Sequence, residues 1–175
     1  MNARFTRKAH GALLGRFEPI EVDLLRLATT QLTEMLEAGV ADPQLAASDG
    51  VFGRLLPDAY RDDDEAAAEF RRFTSINLLE RKAHNAKIVL GSLGMDPVEA
   101  DAPADDRPSV TITLDADAVQ AWLRSLTDLR LTLADRLLIS PEGVVELTTE
   151  DAPFLRELYE RLGMLQEELV YAIDV

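Results

Sequence analysis

Cysteine is absent from the 175 residues, which excludes thiolate metal sites, cysteine nucleophiles and redox pairs, and is compatible with a reducing cytoplasm. Histidine occurs twice, aromatic residues make up 6% of the chain, and no apolar run approaches the roughly 20 residues that a bilayer span needs. Basic residues are scarce. Lys plus Arg total 18 against 32 Asp plus Glu, a formal charge of −14 at pH 7. A surface of that sign repels nucleic acid and anionic lipid unless a local basic patch intervenes. The first sixteen residues contain Arg4, Arg7, Lys8 and Arg16 with no acid, yet they lack the apolar stretch of a secretory signal. Four cations on so acidic a chain make a poor nucleic-acid footprint, and contact with the acidic remainder is the expectation. With 47% apolar residues, the chain is long enough to bury one core without staples. A single domain over residues 1–175 is expected.

What is present is mostly helical periodicity. Phe5 to Lys8 and Ala12 to Phe17 flank His10-Gly11, a turn signal, and predict an N-terminal hairpin within residues 1–17. From Pro19 the pattern becomes helical, with Leu24, Leu25, Ala28, Leu32, Met35 and Leu36 on one face and Gly39 as the stop. Pro43, Gly50, Gly53 and Pro57 predict an irregular connection over 40–61, with Val51, Phe52, Leu55 and Leu56 turned inward. The acids Asp62 to Glu65 suit the positive end of a helix dipole. The helix they open runs to Leu93 on a seam of Arg72, Ile76, Leu79, Ala83, Ala86, Leu90 and Leu93. Residues 94–109 have the acidic, proline-rich composition of a mobile loop.

Val110 to Leu114 reads as a short strand and Asp115 as the N-cap of a helix reaching Leu138. Its stripe is Val119, Trp122, Leu123, Leu126, Leu129, Leu133 and Leu137. A turn at Ser140 to Gly143, a short strand at Val144 to Leu147 and a Thr148 or Thr149 cap precede a last helix. That helix has the seam Leu155, Leu158, Leu162, Leu165, Leu169 and Ala172, usable in the core or at a homodimer interface. The fold class is therefore mainly α: a four-helix bundle-like core with a small β-appendage made of the hairpin and the short strands.

Few constellations carry chemistry. A di-iron bundle needs Glu-x-x-His pairs, whereas Glu80 stands four residues before His84, the spacing of an ordinary solvated pair. The run Asp62 to Glu65 lacks the alternating ligands and central glycine of a calcium loop. Phosphate-binding glycine loops, a serine elbow and a supported catalytic triad are missing, so no catalytic residue, metal or cofactor is expected. Arginine is more informative. At about 100° per residue Arg130 falls inside the apolar stripe of its helix, and Arg72 occupies a seam position with Glu69 three residues before it. An arginine on a core face must be paired or reach solvent. The leading expectation is an inter-helix ion pair of Arg130 or Arg72 with Glu69, which fixes register. The alternative is a pocket in which Arg72 and Arg130 receive a carboxylate or phosphate beside Glu69. Trp122 and Phe70 are expected in the core.

Three stretches resemble a known family: Arg54-Leu55-Leu56-Pro57-Asp58-Ala59-Tyr60, Glu69-Phe70-Arg71-Arg72, and Trp122-Leu123-Arg124-Ser125-Leu126-Thr127-Asp128-Leu129-Arg130-Leu131. The chain is similar over nearly its whole length to an actinobacterial domain of unknown function numbered twenty-seventeen, and departs from its usual pattern at Thr127 and at Ala134-Asp135. The resemblance implies no activity, cofactor or catalytic residue. It implies a cytoplasmic bacterial protein whose gene lies near that of the Clp-protease adaptor, and the excess of Arg over Lys suits a GC-rich genome. The expected function is a non-enzymatic interaction or regulatory role with a protein partner, linked to Clp proteolysis. The alternative is an enzyme or small anionic-ligand binder using Glu69, Arg72 and Arg130.

Overall fold

The computed structural model of the chain describes residues 3–56, 63–94 and 106–174, less the side chains of residues 67 and 71–73. Among them the order is β1 (Phe5–Arg7), β2 (Leu13–Phe17), α1 (Pro19–Ala41), α2 (Pro43–Ser48), α3 (Gly50–Leu55), α4 (Asp64–Leu93), β3 (Val110–Leu114), α5 (Ala116–Arg136) and α6 (Ala152–Asp174). The mainly α fold with a small β-appendage is therefore observed.

The appendage is one antiparallel sheet in the order β1-β2-β3, with Leu13 opposite Leu114 and Phe17 opposite Val110. The hairpin turns at Gly11, whose φ of 86° is a conformation that L side chains rarely adopt. Alternation puts Phe5, Leu13, Phe17, Ile112 and Leu114 inside. Phe17 stacks edge-on to Phe5 at 5.8 Å and lies 5.7 Å from the Trp122 ring, which joins the sheet to α5. A ring atom of each phenylalanine would stand within 3 Å of a Cβ at Gly15, so that position must stay bare.

Helix starts follow their caps. Glu18 and Glu21 form a reciprocal capping box at α1, Asp63 accepts from Glu65 and Ala66 at α4, and Asp115 accepts from Ala118 at α5. Helix α4 packs along α1 and α5, α5 packs against α6, and α6 also touches β1. Of the α6 seam, Leu162, Leu165 and Leu169 are buried within the chain, and Leu155, Leu158 and Ala172 are partly buried.

Several expectations are corrected. Residues 42–55 are two short helices, because Pro43 sits in a first turn, where no N–H is needed, and Asp42 and Asp49 cap α2 and α3. Val51, Phe52 and Leu55 are buried as expected, and Leu56 partly so. Gly39 does not stop α1. It lets Phe52 approach, for a Cβ there would stand 2.6 Å from the ring. The buried face of α1 is rotated toward Thr29 and Thr33, and in α4 Val89 rather than Leu90 is buried. Helix α5 ends at Arg136, and Leu138 takes a positive φ of 51°. Val144 to Leu147 is no strand, since it makes only the isolated bridge of Val145 to Ile139. The loop expected at 94–109 lies mostly outside the described residues. At its end Arg107 donates to Asp23 at 2.7 Å and ties the approach to β3 onto α1.

Candidate functional site

Helix α6 reaches α5 and the hairpin, and between it and α1 a groove is left. Two adjoining cavities of about 620 and 580 Å³ make it up, sharing Leu24, Phe154 and Leu158. Along α1 it runs from Ile20 to Met35, about 22 Å at about 1.5 Å per residue. Leu129 and Leu133 of α5 line one half, and Leu162 and Leu165 of α6 line the other. Four large apolar side chains stand open to solvent on its walls: Ile20 (51% exposed), Leu27, Phe154 and Met164. Apolar residues scattered singly on a surface are ordinary, whereas several that border one concave apolar floor are the mark of an interaction surface.

The hairpin end of the groove is charged. Arg4 makes a bidentate contact with Glu21, at 2.9 Å to each oxygen, and gives its Nε to Glu168 of α6 at 2.7 Å. One guanidinium thus holds β1, α1 and α6 together. Burial alone would raise the Glu21 carboxyl, but the Arg4 guanidinium and the Glu18 backbone N–H outweigh it and hold the group below its ordinary range. Arg7 donates to the Ile173 carbonyl and satisfies the end of α6.

Of the residues singled out in the sequence, Glu69 and Arg130 are not brought together. Arg130 turns to α6, where its Nη1 donates to Gln166 at 3.2 Å and its guanidinium lies 4.8 Å from the centre of the Tyr159 ring, over Gly163. Gln166 in turn donates to Thr127 Oγ1 at 2.7 Å. Glu69 is exposed on α4, thirteen residues or about 20 Å before the level at which α4 meets α5 at Lys82. The Arg72 side chain lies outside the described residues. Glu80 and His84 are exposed and border a shallow hollow on α4 with Phe70 and Arg81. Among the described residues no group of three or more potential metal ligands converges.

A buried ion pair between α4 and α5 was missed. Asp128 of α5 is 2% exposed and accepts from Lys82 Nζ of α4 at 2.7 Å, while its second oxygen has no partner among the described residues. Burial pushes the Asp128 carboxyl up, and Lys82 opposes the shift without cancelling it. A signal existed: Ser125, Asp128 and Thr132, all buried, repeat at helical spacing beside the leucine stripe. Its position is that of a strut between α4 and α5.

No helix among the described residues is long and apolar enough to cross a membrane. No curated protein matches the chain, and no solved structure does. The family comparison does return a match, and it spans residues 1–173, which takes in the hairpin, the four long helices and both walls of the groove. The chain belongs to the family described as Domain of unknown function (DUF2017).

Proposed function

We propose that this chain is a non-enzymatic interaction or regulatory protein that holds a protein partner in the groove between α1 and α6. The observation that carries the proposal is the set of exposed apolar side chains, Ile20 and Leu27 on the α1 wall and Phe154 and Met164 on the α6 wall, that border a concave floor about 22 Å long. Grooves of that form take the apolar face of a helix, with anchors at i, i+3, i+4 and i+7. Such recognition needs neither nucleophile nor metal. Within the proposal the partner is sought first among the components of Clp proteolysis, in the cytoplasm of an actinobacterium. The competing proposal, a small-anion site on Glu69, Arg72 and Arg130, has less support because Arg130 already engages Gln166 and Tyr159.

The test is native affinity purification of the tagged chain and of its Phe154→Ser variant, followed by mass spectrometry. Phe154 is 55% exposed, so the variant keeps its core. The expected result is a partner at fixed stoichiometry with the wild type, tested directly against Clp subunits and their adaptor, and its loss with Phe154→Ser. Bare protein from both chains would sink the proposal.

A further inference from the structure

The groove also carries information about the charge of what it binds, and this inference rests on the interaction reading above. Four glutamates line its hairpin half, Glu21, Glu157, Glu160 and Glu168, against two arginines. Both arginines are engaged from within: Arg4 by Glu21 and Glu168, and Arg161 by Glu157 at 2.9 Å. Glu160, with a side chain 63% exposed, has only a 3.6 Å contact with Arg156 on its own helix. The rim therefore presents net negative charge above an apolar floor.

We propose that the α1/α6 groove takes an amphipathic helix of another protein, about four turns long, whose apolar stripe is flanked by Lys or Arg. The length follows from the groove, since about 22 Å holds about 15 helical residues. The sign of the flanks follows from the rim, where a cation gains Coulomb energy and a carboxylate loses it. The same argument sets aside a second copy as occupant: each copy carries a charge of −14, so closing groove on groove brings like charges together. An apolar stripe meets the floor, with Phe154 and Met164 closing over it, while the flanking ammonium or guanidinium groups reach Glu157 and Glu160.

The probes are two synthetic peptides of about 18 residues with one leucine and phenylalanine stripe at helical spacing, one flanked by Lys and the other by Glu. Each is titrated into the full chain while backbone amide resonances are followed. The Lys-flanked peptide is expected to shift the amides of Ile20, Leu24, Leu158 and Met164, and to bind at least about tenfold more tightly than the Glu-flanked one at low salt. Charge reversal by Glu157→Lys with Glu160→Lys is expected to weaken it by about tenfold, while Glu80→Lys, exposed on α4, which lines neither half of the groove, leaves it unchanged. Equal binding of both peptides in the groove would overturn the charge inference and leave the interaction reading standing. Failure of both peptides to shift groove amides, together with partner capture unaffected by Phe154→Ser, would overturn both. Dilution-dependent shifts of those amides without any peptide would make the occupant a second copy and overturn the basic-helix proposal.

Discussion

Asp128 shows how much one buried carboxylate decides. It lies at 2% exposure with one charged partner, Lys82, whose own side chain is 23% exposed. Such a pair is weak evidence for stability, but removing one member strands the other. Lys82→Met is therefore expected to cost on the order of 3 kcal/mol at pH 7, read from urea unfolding. The loss depends on pH with a definite sign. Burial raises the folded pKa of Asp128, and removing Lys82 raises it further, because the one group that favours the charged form is gone. An acid whose folded pKa is raised binds its proton in the native state before the unfolded one does, so the variant gains stability as pH falls through that value. The gap between variant and wild type closes as pH falls from the variant's folded pKa to that of the wild type. A gap independent of pH would show that the Lys82 stem, through its packing, is what matters.

At the scale of elements, α6 is the piece whose attachment is easiest to examine. Leu162, Leu165 and Leu169 bury it on α5, and Arg130 grips it from the side through Gln166 and the Tyr159 ring. Arg130→Met is expected to cost about 1–2 kcal/mol, the worth of a half-buried cation–π contact and a hydrogen bond. Amide exchange should quicken in α6 and stay unchanged in α1 and α4; a uniform change would show that α6 does not open on its own. The long elements were legible in the sequence because a seam such as Leu155 to Ala172 repeats often enough to declare its period. Helices α2 and α3 were not, since six residues hold under two turns and the residues that cap them, Asp42 and Asp49, look like loop composition. Val144 to Leu147 misled in the opposite direction, as β-branched residues favour a strand only where a partner strand exists. Of the site, the buried row around Leu162 could be read off the seam. The groove could not, because it arises where α6 leans on α5 and leaves α1 uncovered, a matter of tertiary placement. Arg130 was found and its partner was not, since Gln166 lies on another helix 36 residues on.

Considered whole, the molecule carries 32 acids against 18 bases, and a net charge of −14 destabilises a compact state through self-repulsion. Raising ionic strength from about 10 to about 150 mM should therefore stabilise it, by about 1 kcal/mol or about 2–4 °C in melting temperature. A fall would mean that pairs such as Arg4 with Glu21 outweigh the net field. The sheet sets a different condition, on synthesis rather than on equilibrium. Strand β2 finds its partner β3 only after roughly a hundred more residues, Leu13 pairing with Leu114. At about 5–20 residues per second, the ribosome takes about 5–20 s to deliver them. Through that interval Leu13 and Phe17 have left the tunnel without β3 or Trp122 to cover them. The nascent chain is thus most exposed to aggregation and to chaperone binding between the emergence of its hairpin and that of β3, and a stalled chain ending before residue 110 should be the form a holdase retains.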